Sequence, residues 1–197
     1  TATLLSILEP GDKVLLPTPI YSGYEPVITL AKAELIQMDT SQTDFVLTPD
    51  LLEATLEEHG DQVKAVILNY PSNPIGVTYT REEVKSLADV LKKYPVFVMC
   101  DEIYSELVYD ETHTSIAEFI PNQTILINGL SKSHAMTGWR IGFLFGPKEL
   151  IKEIVKVHQY LVPAASTISQ KAAYAALTTS MNAGEEMKKE YQVRRDF

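Results

Sequence analysis

Short apolar runs alternate along this chain with longer stretches that carry apolar residues at helical spacing. That alternation is the strongest constraint on its fold. It predicts an α/β layer architecture, a mostly parallel sheet sandwiched by helices. The candidate strands are residues 13–16, 34–38, 65–68, 96–100, 124–128 and 141–145. Several are apolar throughout rather than alternating, as strands covered on both faces must be. Helical patterns fall between them. One spans 21–31. A second, 51–59, is opened by Thr48-Pro49-Asp50 with proline in the first turn. A third runs from Thr80 to about Lys93, with Thr80 and Glu83 spaced as a capping box. A fourth covers 148–158 after Pro147, and a last helical region runs from about Ala165 to the end. The abrupt start at Thr1 and the uncapped end at Phe197 predict a piece of a longer protein.

With 197 residues, 45% of them hydrophobic, the chain can bury a core of its own. A formal net charge of -9 argues against general affinity for nucleic-acid backbones or anionic membranes. No apolar run is long enough to span a bilayer, and no basic segment precedes an apolar stretch at the start. The single cysteine, Cys100, excludes an intramolecular disulfide and fits a reducing, cytoplasmic location. It lies in the apolar run 96–100, where a small buried hydrophobe is expected rather than a reactive thiol. The histidines at 59, 113, 134 and 158 lack paired metal-ligand spacing, and a dinucleotide-binding glycine fingerprint is absent.

In a parallel sheet, ligand-binding groups gather in the loops that follow the carboxyl ends of the strands. That rule singles out residues 69–76, 101–104 and 128–140. The last of these places Lys132 at the end of a buried strand among small residues, with Gly138-Trp139-Arg140 closing eight residues on. A lysine displaced from water favours the neutral amine needed for imine formation, and an arginine nearby can grip a phosphate bidentately. Most lysines are simply exposed loop residues. Asp101 could likewise be a helix cap, Asn73 a turn residue, and Tyr21 or Tyr104 plain packing. Ser131 beside Lys132 could suggest a hydrolytic dyad, but neighbours on a strand point to opposite faces.

Taken together, these segments resemble class I and II aminotransferases, enzymes of fold type I that depend on pyridoxal 5′-phosphate. The run Gly129 to Gly142 is similar to the family's cofactor-attachment segment. Tyr70-Pro71-Ser72-Asn73-Pro74-Ile75-Gly76 resembles its Asn-Pro-Thr-Gly segment with isoleucine in place of threonine, and Asp101-Glu102-Ile103-Tyr104 matches its Asp-x-x-Tyr. Thr18-Pro19-Ile20-Tyr21 stands where the family sets an aromatic ring against the cofactor, and Glu9-Pro10-Gly11-Asp12 extends the match towards the start. The likeness is greatest to a bacterial branch holding N-acetyl-diaminopimelate, aspartate and aromatic amino-acid aminotransferases.

The resemblance implies the large domain of such a subunit, truncated at both ends. Residues 1–180 would form an incomplete cofactor-binding domain, and 181–197 the start of a helix leading to a second, small domain. It implies an amino-group transfer from an amino acid to a 2-oxo acid through a Lys132 Schiff base. Asp101 would pair with the ring nitrogen of the cofactor, Asn73 and Tyr104 would donate to its phenolate, Tyr21 would stack on its ring and Arg140 would bind its phosphate. Many relatives carry a serine three residues before the lysine; Gly129 stands there, so a hydroxyl for the phosphate would come from Ser131 or from elsewhere. The phosphate loop and the arginine for the substrate carboxylate would lie outside this chain, so 197 residues alone are expected to bind the cofactor weakly and to turn over negligibly. A homodimer with a role in amino-acid biosynthesis is implied for the whole protein. Two other readings share these features: a cofactor-dependent carbon–sulfur lyase, and a ligand-sensing domain of a transcription regulator.

Overall fold

Val63–Asn69, in which every residue but Lys64 is buried, forms a central strand (β3) of a six-stranded sheet. The computed structural model describes all of residues 1–197. The other strands are β1 (Lys13–Thr18), β2 (Glu34–Asp39), β4 (Phe97–Asp101), β5 (Thr124–Gly129) and β6 (Gly142–Phe145). Their spatial order is β2-β1-β3-β4-β5-β6. The first five run parallel and only β6 is antiparallel, pairing Gly129 with Gly142 and Asn128 with Phe143.

Alternating side chains of the central strands enter two separate cores, one on each face of the sheet. Leu15, Val66, Leu68, Val98 and Cys100 pack on one face with helices α3 (Pro49–His59) and α4 (Arg81–Leu91). Val14, Leu16, Ala65, Ile67 and Met99 pack on the other with α1 (Ala2–Ile7), α2 (Glu25–Leu30) and α5 (Lys148–Leu161). Both faces are therefore dry, which is why these strands are apolar throughout. Cys100 is fully buried, as its apolar run implies.

The expected helix starts at Thr48 and Thr80 are present. Thr48 Oγ1 accepts from the Leu51 N–H, and Thr80 and Glu83 close a reciprocal capping box. Two expectations differ from the structure. The helix anticipated at 21–31 begins only at Glu25, because Pro26 lacks an N–H and is tolerated in the first turn but not in the interior. Residues 21–24 thereby become a turn at the end of β1. The final helical region is two helices, α6 (Thr167–Thr179) and α7 (Gly184–Asp196). Their joint follows Thr178 and Thr179, whose hydroxyls donate back to the Tyr174 and Ala175 carbonyls, and Ser180 leaves helical geometry.

No helix is long and apolar enough to cross a membrane. Leu68 on β3, 1% exposed, contributes to the α3–α4 core. Leu68→Ala is expected to lower the unfolding free energy by about 2–5 kcal/mol in urea denaturation, because the surrounding sheet can relax only partly into the vacated volume.

Candidate active site

The strand order reverses direction between β1 and β3, and at such a switch point the loops leaving the two strands diverge and open a crevice. A cleft of about 350 Å³ lies there. Its walls are built by the loops after β1, β3, β4 and β5, and it contains Tyr21, Asn73, Asp101, Tyr104, Ser131, Lys132 and Arg140 together. All seven site residues singled out in the sequence, drawn from four separate loops, thus meet in one space of a size suited to a small ligand.

Asp101 is the last residue of β4, held in register by Asn69 of β3 on one side and Ile127 of β5 on the other. Its Oδ1 accepts from the Ile103 N–H at 3.1 Å and its Oδ2 from the Tyr24 hydroxyl at 2.8 Å. Burial pushes the carboxyl above its ordinary value; the two hydrogen bonds pull it back, and the neighbouring Glu102 charge adds to the rise. The Tyr24 phenol is also pushed up, first by burial and then by the Asp101 charge. Asn69 completes this wall: its side-chain N–H donates to the Asp101 carbonyl at 3.0 Å, and its oxygen accepts from the Asn73 N–H at 2.8 Å. The loop after β3 is thereby tied to the end of β4. Ser72 and Val77 close the same loop, whose turn is completed by Gly76 at φ +76, a conformation that disfavours any residue with a Cβ.

Lys132 lies in a turn three residues beyond β5, half-buried, with its ammonium 5.4 Å from the centre of the Tyr104 ring. This corrects its expected position at the strand end. Because residues 130–134 form a turn, strand alternation does not separate Ser131 from Lys132, and both line the cleft. Gly129 has a steric reason to be glycine: a Cβ there would lie 3.2 Å from the Gly142 Cα and 3.2 Å from the Ile141 carbonyl oxygen, at the β5–β6 pairing. Arg140 sits in the left-handed region at φ 50, an unfavourable conformation for an arginine, and its guanidinium donates to the Thr137 carbonyl at 2.8 Å. Unlike Arg81, Arg194 and Arg195, it has no carboxylate partner. Its charge is available to an anion in the cleft.

Tyr21 is half exposed and meets the Tyr24 ring edge-on, with centroids 5.7 Å apart. Its ring lies against Gly23, where a Cβ would come within 2.3 Å of it. Tyr24, Asn69, Ile103 and Thr137 complete the lining and were not anticipated. Asn69 left a signal, a polar residue ending an otherwise apolar strand. Tyr24 left none, since its position depends on where α2 begins. A carboxylate, a guanidinium without a carboxylate partner and an amine near an aromatic ring, all lining one cleft, fit an anionic heteroaromatic ligand such as pyridoxal 5′-phosphate.

Because the Asp101 carboxyl is raised, the folded chain holds its proton more tightly than the unfolded chain does. The stability this contributes is complete below about pH 4 and is lost as pH rises through the raised value. At neutral pH the buried charge is a cost. Asp101→Asn is therefore expected to raise the melting temperature of the ligand-free chain at pH 7 and to give no gain near pH 4. Equal melting temperatures at pH 7 would mean that Tyr24 and Ile103 already offset the burial.

The family model described as "Aminotransferase class I and II" matches residues 1–197. The chain is 54% identical over 196 residues to the probable N-acetyl-LL-diaminopimelate aminotransferase of Bacillus subtilis, covering 100% of this chain and 49% of that protein. It is 37% identical over 194 residues to an aspartate aminotransferase of Pyrococcus horikoshii, covering 96% and 49%. Among solved structures, aspartate aminotransferase from Thermus thermophilus with maleate superposes with a TM-score of 0.94 at 33% identity, over 99% of this chain and 51% of that one. The chain thus spans about half the length of the curated relatives it matches. Matched along its whole length by the family model and by the architecture of solved members, the chain belongs to the class I and II aminotransferases.

Proposed function

We propose that the protein to which this chain belongs is a pyridoxal 5′-phosphate-dependent aminotransferase that moves an amino group from an amino acid to a 2-oxo acid. The observation that carries this reading is the convergence of Lys132, Asp101, Asn73, Tyr104 and Arg140 on one cleft from the ends of three strands, β3, β4 and β5. The cofactor, when bound, supplies an aldehyde that takes up amino groups and a ring that draws electrons from the substrate α-carbon.

The chain's own residues divide the remaining work. Lys132 would hold the cofactor through its amine and, once displaced by the substrate amine, carry the proton to and from the substrate α-carbon. Asp101, negative and partly desolvated, would hold a proton on the ring nitrogen opposite it; Tyr24, donating to the same carboxylate, orients it. Asn73 and Tyr104 would donate to the phenolate oxygen. Arg140, free of any protein carboxylate, would bind the phosphate, with Ser131 adding a hydroxyl. Tyr21 would cover one side of the ring.

The 54%-identical relative makes an N-acetylated diaminopimelate the first substrate to assay. A homodimer in the cytoplasm is the expected setting, and 181–197 would lead into a second domain. The shared attachment lysine and ring-nitrogen aspartate would serve a carbon–sulfur lyase equally; every relative named above is an aminotransferase, which favours transfer over elimination.

Treatment of the full-length subunit with pyridoxal 5′-phosphate followed by borohydride and peptide mass mapping is expected to label Lys132. The label should vanish in Lys132→Ala, together with turnover of amino acid to 2-oxo acid. Preferential labelling of another lysine would overturn the assignment.

A further inference from the structure

Two carboxylates stand side by side at the end of β4, and the sheet parts them. Asp101 faces the cleft with Tyr24, whereas Glu102 lies on the opposite side with Cys100, two residues before it. Glu102 is 2% exposed and takes no part in lining the cleft. A carboxylate so far from water is costly unless hydrogen bonds replace its hydration. Three donors do so. The Ser115 hydroxyl donates at 2.6 Å and the Cys100 thiol at 3.3 Å to Oε1, and His113 Nε2 lies 2.8 Å from Oε2.

The arrangement is a staple. Glu102 accepts from residues 113 and 115, and the neighbouring Ile116 N–H donates to the Tyr70 hydroxyl at 2.8 Å. The His113 ring lies 5.3 Å from the Tyr70 ring. Tyr70 directly follows β3, so segment 113–116 is bound to the carboxyl ends of both β3 and β4. The Glu102 N–H also donates to the Ile127 carbonyl of β5 at 2.9 Å. Between these anchors lies the backbone from which Asp101 projects, and that backbone reaches Asn73 through Asn69. A leucine at position 102 would fill a buried site with no polar group to satisfy; a carboxylate tied to a separate segment gives something leucine cannot, a defined position.

We propose that Glu102 is a positioning residue for Asp101, locking the end of β4 from the far face of the sheet through His113 and Ser115. The proposal rests on the reading of Asp101 as the partner of the cofactor ring nitrogen. Its action is geometric: with the staple intact the Asp101 carboxylate is delivered to one place, and without it the residues on either side can swing.

The test uses the full-length subunit with pyridoxal 5′-phosphate, comparing Glu102→Ala, Glu102→Gln, Ser115→Ala and Asp101→Asn. The readouts are the cofactor dissociation constant and the pH midpoint of the bound cofactor's absorbance, with melting temperature measured separately. Glu102→Ala is expected to bind the cofactor roughly tenfold more weakly, the loss of one well-formed hydrogen bond to a charged group. It should move the absorbance midpoint in the direction that Asp101→Asn moves it, but by less. Glu102→Gln, which keeps an acceptor for Ser115, should recover part of both effects. Should Glu102→Ala fail to fold, Ser115→Ala removes one donor only and is expected to shift both readouts the same way. A Glu102→Ala or Ser115→Ala protein that melts lower yet matches wild type in affinity and midpoint overturns the proposal and leaves Glu102 a purely structural residue. An Asp101→Asn protein with an unchanged midpoint instead overturns the reading of Asp101 itself.

Discussion

The cleft is organised around one desolvated carboxylate that the fold holds in place at a cost. Asp101 ends a strand paired on both sides, accepts from a tyrosine on the near face of the sheet and from the backbone two residues on, and has a second buried carboxylate directly behind it. Burial raises it, and the hydrogen bonds hold part of that rise in check. A free surface aspartate would be cheaper for folding. It would also be hydrated, mobile and screened, and so a weak partner for any cation in the cleft.

A parallel sheet suits this purpose because all five parallel strands end on the same edge. Four segments then open into one cleft without long excursions: the turn at 21–24, the Asn73 loop, the end of β4 and the Lys132 turn. Two dry cores grip the central strands from below, and most of the cleft residues lie in the loops above. Strain appears in those loops as well. Ala135 and Arg140 both adopt positive φ within ten residues of Lys132, the kind of local cost that a well-anchored scaffold can sustain at a site.

Much of this was legible in the residues. Continuous apolar runs such as 65–68 and 96–100 reveal strands buried on both faces, and Thr80 with Glu83 marks a helix start because capping chemistry is local. The cleft residues could be named because each stands at or beyond the end of a strand, in a segment that resembles one of the family's. Other features escaped for reasons that are equally physical. The start of α2 depended on Pro26 overriding a helical pattern that seemed to begin at Tyr21. The α6–α7 joint reflects hydroxyls turned back onto helix carbonyls, a competition that hydrophobic spacing does not register. Glu102, adjacent to a residue of evident interest, gave no hint of being buried.

By itself, the sequence determined the layer architecture and the two-faced burial of the sheet, because periodicity and turn chemistry act over a few neighbours, while the seven cleft residues were named through its resemblance to a family. Only the tertiary structure decided that Tyr24, 77 residues from Asp101, donates to its carboxylate, and that Arg140 alone among the arginines is left without a carboxylate. It also decided that Asp101 and Glu102 part to opposite faces with separate partners. Those outcomes depend on strand register and on which loops meet across the switch point, and contacts so distant in sequence leave no local pattern to read.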